Sequence, residues 1–118
     1  MLNFLIDSVS TPRRDIDPAA LAEKLSLTSA ELASLIGVSR NTIATGKASA
    51  KLQAALQPLV KILALASDAA GSEHRAILWF KYNPIVSLGT KTALEHVQDG
   101  HADWVLGHLE NVLNGVYA

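Results

Sequence analysis

No cysteine occurs among the 118 residues of this chain. A disulfide framework and thiolate zinc sites are both excluded, and a reducing cytoplasm is the expected setting. Long apolar runs are also missing. The most apolar stretch, Ala54 to Ala66, is interrupted by Gln57, Pro58 and Lys61 and is too short to cross a bilayer. Met1 to Val9 are apolar but open without a basic cluster, carry Asp7, and fall short of a signal sequence. No membrane contact is therefore expected. Phosphate-cradling glycine loops and nucleophile motifs are absent too, and Glu110 and His108, two residues apart on a helix, face different ways. The four histidines, His74, His96, His101 and His108, show no metal-ligand spacing and read as surface or interface residues. The expectation is a chain that is not an enzyme and carries no metal or other cofactor.

The formal net charge is −1, weak for a nucleic-acid binder as a whole, so any such contact must come from a local patch. Up to Lys51 the cations Arg13, Arg14, Lys24, Arg40, Lys47 and Lys51 are balanced by Asp7, Asp15, Asp17, Glu23 and Glu31. After Lys91 there is no Lys or Arg, whereas Glu95, Asp99, Asp103 and Glu110 remain, unpaired in the sequence. An acidic end of this kind suits a basic partner surface; it also suits a helix face that is merely solvated.

The chain is long enough for one domain, or for two small helical ones sharing a core. Strand-like alternation is absent and helix starts recur. Asp17-Pro18 places a capping carboxylate before a first-turn proline and opens a helix through Leu25. Thr28 with Glu31 and Thr92 with Glu95 both read as capping boxes. Ser49 caps a longer helix with Leu52, Leu56, Leu59, Val60 and Leu63 at helical spacing, and Pro58 predicts a kink or a fresh start inside it. Ile62, Leu65 and Ala69 lie off that stripe, which makes the helix either central or part of a dimer interface. Gly71-Ser72 separates it from a helix over Glu73 to Tyr82, which Asn83-Pro84 stops. A loop through Gly89, a short helix to about Gln98 and a last helix from His101 to about Asn114 complete the chain. On that last helix Val105, Leu109, Val112, Leu113 and Val116 form the expected buried stripe, with Trp104, His108 and Asn111 on another face. At least one of Trp79 and Phe80 belongs in the core.

From Ser29 to Lys47 the residues meet the demands of two helices crossing over a tight turn. Ala33 is small where the helices approach, Gly37 suits a positive φ, and Leu32, Ile36, Val38 and Ile43 supply a shared core. Ser39 caps the second helix, placing Arg40, Asn41, Thr42, Thr45 and Lys47 on or beside the face that would enter a major groove. Arg and Asn suit base edges, while the Thr hydroxyls, Lys47 and Lys51 suit phosphates. Gly46 stands where such motifs place an apolar residue, so this helix is expected to be short. The same pattern also serves a helical hairpin with no affinity for DNA.

Trp79, Asn83-Pro84, Leu88-Gly89, Thr92 with Leu94-Glu95, Gly100, Val105, Leu109 and Gly115-Val116-Tyr117 form an ordered set. Together with the preceding helix-turn-helix segment, from about Ala19 onward, this set resembles the Xre/MbcA/ParS antitoxins. Ala93 follows the threonine where that family has proline.

The resemblance implies an all-α protein: an amino-terminal arm over residues 1–16, an Xre-like helix-turn-helix domain with its long connecting helix over 17–70, and a small toxin-binding domain over 71–118. It implies an antitoxin of a type II toxin-antitoxin module that occludes the active site of a RES-domain toxin. By the same resemblance that toxin would look like a relative of ADP-ribosyltransferases and would consume or use NAD. The antitoxin would also regulate its own operon by binding operator DNA, and would form a homodimer within the complex. The toxin-facing residues would be Trp104, His108, Asn111, Asn114, Gly115, Val116, Tyr117 and Ala118. The alternatives are a last helix that only closes the core, and a stand-alone transcription regulator whose carboxy-terminal module only dimerises.

Overall fold

Helix starts in this chain are set by side chains that accept backbone N–H groups. The computed structural model describes residues 15–45 and 49–115, with Thr45 in its backbone only. Asp17 accepts the Ala19 N–H at 3.0 Å and Pro18 takes the first position of α1 (Pro18–Leu25), where a missing N–H breaks no helical bond. Thr28 and Glu31 close a reciprocal box at α2 (Ser29–Ile36): the Thr28 hydroxyl accepts the Glu31 N–H at 3.0 Å, and the Glu31 carboxylate accepts the Thr28 N–H at 2.8 Å. Gly37, at φ 75°, ends α2 in the left-handed region that side chains resist, and α3 (Arg40–Thr45) follows. Ser49 accepts the Leu52 N–H at 3.0 Å and opens α4 (Ala50–Ala70), and Ser72 accepts the Arg75 N–H at 3.1 Å and opens α5 (Glu73–Tyr82).

Beyond α5 the chain makes a small antiparallel ribbon, β1 (Pro84–Ile85) against β2 (Lys91–Thr92), with a 3-10 turn over Val86–Leu88 between them. Thr92 and Glu95 repeat the capping box at α6 (Ala93–Gln98), and α7 (Ala102–Leu113) follows. The fold is all-α apart from this ribbon.

α4 is central. Its Leu52, Leu56, Leu59, Ile62 and Leu63 are fully buried, and α5 and α7 pack on it through Ala76, Phe80, Val105 and Leu109. α1 and α2 add Leu21, Leu25 and Leu32, so one apolar cluster reaches from Ile16 to Leu109. Polar contacts tie its edges. Lys24 pairs with Glu73 at 2.6 Å, Lys81 Nζ donates to the Leu25 carbonyl at 2.9 Å, and Gln98 Nε2 donates to Ser34 Oγ at 3.3 Å. The Gln53 amide grips the backbone of Ile16 at both ends, accepting its N–H at 2.7 Å and donating to its carbonyl at 2.9 Å.

The structure meets some sequence expectations and corrects others. The two-residue strands were too short to leave any alternation; backbone pairing across the Ser87–Gly89 turn makes them. α4 runs through Pro58 without a fresh start, because Leu56, Leu59, Val60, Ile62 and Leu63 on both sides of it share one core. The apolar surplus at Ile62 is spent inside the chain, and Leu65 packs partly buried against the same cluster. The stripe on α7 is buried only at Val105 and Leu109. Val112 is 37% and Leu113 42% exposed; the end of α4 offers Val112 only Ala66, Ala69 and Ala70, too short to cover the space. Val116 lies outside the described residues. Of the tryptophan-phenylalanine pair, Phe80 is fully buried and Trp79 half-buried. No helix among the described residues is long and apolar enough to cross a membrane.

Candidate functional site

Residues four and seven apart on a helix share a face, and on α7 this places Trp104, His108 and Asn111 together. They line an open cavity of about 510 Å³ with Gly107 of the same helix and Ser87, Leu88 and Gly89 from the turn of the ribbon. Trp104 is 47% exposed there, which is unusual for the largest apolar side chain. Its ring is held from two sides. His101 stacks on it at 3.7 Å with the planes 7° apart, and His96 meets it edge-on at 5.8 Å and 61°.

His96 is buried, where a surface or interface position was expected: the ring reaches under the ribbon, its Nε2 2.8 Å from the Leu88 carbonyl. A carbonyl can only accept, so Nε2 carries the proton. The Nδ1 is buried and has no hydrogen-bond partner among the described residues. This contact holds the Ser87–Gly89 turn against α6. His108 Nδ1 lies 3.4 Å from Ser87 Oγ, and burial pushes the imidazole below its ordinary range, favouring the neutral ring. The site thus offers an indole, a neutral imidazole, an amide and a hydroxyl, a set suited to binding.

The acidic end is less free than the sequence implied. Asp99 pairs with Lys91 at 2.9 Å, and Glu95 is occupied by the N–H and hydroxyl of Thr92. The Lys91 ammonium holds the Asp99 carboxyl below the usual carboxylate range, and the Thr92 N–H does the same to Glu95. Asp103 and Glu110 stand exposed on α7. Asn114 and Gly115 form an exposed turn after α7, with Gly115 at φ 78°, and Val116, Tyr117 and Ala118 lie outside the described residues.

At the other surface, α2 and α3 meet over the turn from Gly37 to Ser39. Arg40 and Asn41 are exposed, Ile43 points into the core, and Lys51 is exposed in the first turn of α4. Thr42 is half-buried and engaged in the cap: its N–H donates to Ser39 Oγ at 3.1 Å, and the two hydroxyls are 2.7 Å apart. The Thr45 side chain and Lys47 lie outside the described residues. Among the described residues no three of His, Cys, Asp or Glu gather as a metal ion would require.

Sequence reasoning missed Ser87, His96, His101 and Gly107 as parts of the α7 site. Ser87 and His96 depend on the ribbon folding back, which no local pattern announces, and His101 enters through its ring stack on Trp104. Gly107 was visible as a glycine inside a helical stripe.

The sequence matches no family model and no curated protein. The structure is similar to a chain of the M. tuberculosis MbcT-MbcA toxin-antitoxin complex, with a TM-score of 0.58 and 20% sequence identity over 86% of this chain and 95% of that one. The likeness shows a shared fold.

Proposed function

We propose that this protein is an antitoxin of a type II toxin-antitoxin module, acting in the cytoplasm and without enzymatic activity of its own. It neutralises a RES-domain, NAD-consuming toxin by occluding that toxin's active site. The observation that carries this reading is the convergence of Trp104, His108 and Asn111 on one open cavity, with a half-exposed indole held rigid. The fold is one found in a toxin-antitoxin complex. A rigid aromatic loses little freedom on binding and serves as an anchor. Asn114, Gly115, Val116, Tyr117 and Ala118 would extend that surface into the toxin's pocket. In this division of labour residues 71–118 bind toxin. Residues 17–70, with Arg40, Asn41, Thr42, Thr45, Lys47 and Lys51, bind operator DNA; the arm expected over residues 1–16 lies outside the described residues as far as residue 14.

A second reading is a stand-alone regulator whose carboxy-terminal half only dimerises. It draws on Leu78 and Tyr82, one turn apart on α5 and 45% and 64% exposed. The same pair supports a homodimer within the toxin-antitoxin complex.

Deletion of Asn114 to Ala118 separates the readings. It spares the buried Val105 and Leu109 that hold α7 in place. Cells co-expressing the truncated protein and the RES-domain protein of the neighbouring reading frame should lose NAD and stop growing, while DNA binding by the truncated protein is unchanged. Full protection by the truncated, folded protein would remove the tail from the inhibitory surface. Failure of the intact protein to bind or protect against that toxin would leave the regulator.

A further inference from the structure

Gly107 stands inside α7 with nothing among the described residues to require it. Its backbone is helical, outside the positive-φ set. A Cβ built on it meets no atom within 4 Å. Alanine would be the more stable residue at such a place. The neighbours of a helical residue are those three and four positions away, here Asp103, Trp104, Glu110 and Asn111. All four are exposed. Gly107 is therefore a bare patch bounded on one side by two carboxylates and on the other by an indole and an amide. The sequence supplies no Lys or Arg after Lys91 to answer those carboxylates from within this stretch.

We propose that this patch receives an arginine side chain from a protein partner. The proposal rests on the reading of the α7 face as the partner-binding surface. The guanidinium would lie over Gly107, with its plane against the exposed indole of Trp104 and its N–H groups donating to Asp103, Glu110 and the Asn111 side-chain oxygen. Arginine fits better than lysine because its charge is planar, stacks on an aromatic face, and presents several donors in a fixed fork. A nucleotide or nucleic acid is disfavoured, since Asp103 and Glu110 would repel its phosphates. The stack of His101 on Trp104 sets the indole before the partner arrives, and the absence of a side chain at Gly107 lets the guanidinium approach the helix backbone.

The test uses the intact protein and N-acetyl-arginine amide as the probe, followed by NMR at low salt. A saturable shift of the Trp104 indole N–H and the Gly107 amide is expected, roughly tenfold weaker with the neutral citrulline analogue. The double variant Asp103→Asn, Glu110→Gln should weaken it several-fold, and Trp104→Ala should abolish the Gly107 shift. Gly107→Ala should raise the melting temperature yet weaken the probe. Equal shifts with citrulline or blocked lysine, or undiminished binding by the more stable Gly107→Ala protein, would overturn the proposal. In pull-downs with the toxin, capture by the double carboxylate variant equal to wild type would overturn the arginine and leave the partner surface standing. Equal capture by Trp104→Ala would sink both.

Discussion

His101 lies flat on Trp104, ring centroids 3.7 Å apart and planes 7° from parallel. The histidine comes just before α7 and the tryptophan in its first turn, so the stack fastens the helix start that no side chain caps. His101→Ala should cost about 0.5–1.5 kcal/mol, the value of an aromatic pair beyond its buried area. Chemical denaturation measures the loss, and the emission of Trp104 should shift as its packing loosens. An unchanged midpoint would show that the stack holds nothing.

His108 gives a pH dependence with a definite sign. Burial lowers its folded value below the ordinary 6.5, so the unfolded chain takes up the proton first. Its contribution to stability is present above about pH 6.5 and is lost as pH falls through the lower folded value. An NMR titration should place the His108 midpoint below the ordinary 6.5. His108→Gln should flatten this part of the stability curve. A midpoint at or above 6.5 would contradict the burial.

Both capping boxes predict the same response. Thr92→Ala removes the acceptor for the Glu95 N–H and should cost about 1 kcal/mol, as should Thr28→Ala at the start of α2. The urea midpoint should fall with an unchanged slope. Glu31 and Glu95 both sit below the usual carboxylate range because they accept backbone N–H bonds, so their contribution is present above about pH 4.5 and fades as the pH falls further. The difference between Glu95→Gln and wild type should shrink in acid.

For the proposed DNA surface the discriminating pair is Arg40 and Lys47. If Arg40 reads a base edge, Arg40→Ala should weaken operator binding by about 1–3 kcal/mol and relax specificity. Lys47→Ala should weaken all DNA alike and lower the salt dependence by about one ion. Electrophoretic shifts with operator and random duplexes across a salt series measure both, and equal, small losses on the two duplexes with Arg40→Ala would rule out base readout.

What could be read from the sequence follows the reach of the forces involved. Thr28 with Glu31, Thr92 with Glu95, Asp17-Pro18 and Gly37 act within four residues, and all of these structural signals were legible. The burial of His96 and the exposure of Val112 depend on what packs opposite, the Leu88 carbonyl in one case and a run of alanines in the other, so periodicity misjudged both. At the candidate site the shared face of Trp104, His108 and Asn111 was legible as helix spacing, whereas Ser87 and His101 became visible only once the ribbon and the ring stack were in place.

The continuous apolar cluster from Ile16 to Leu109, with Lys24–Glu73 and Ser34–Gln98 at its edges, has a consequence for genetics. A lesion at Leu32 or Phe80 lowers the amount of folded chain, and with it everything the chain does, so a selection for loss of either proposed activity will return such alleles. Alleles that spare one activity while removing the other must come from side chains that face water, and their scarcity in an unbiased collection would measure how few positions each surface owns.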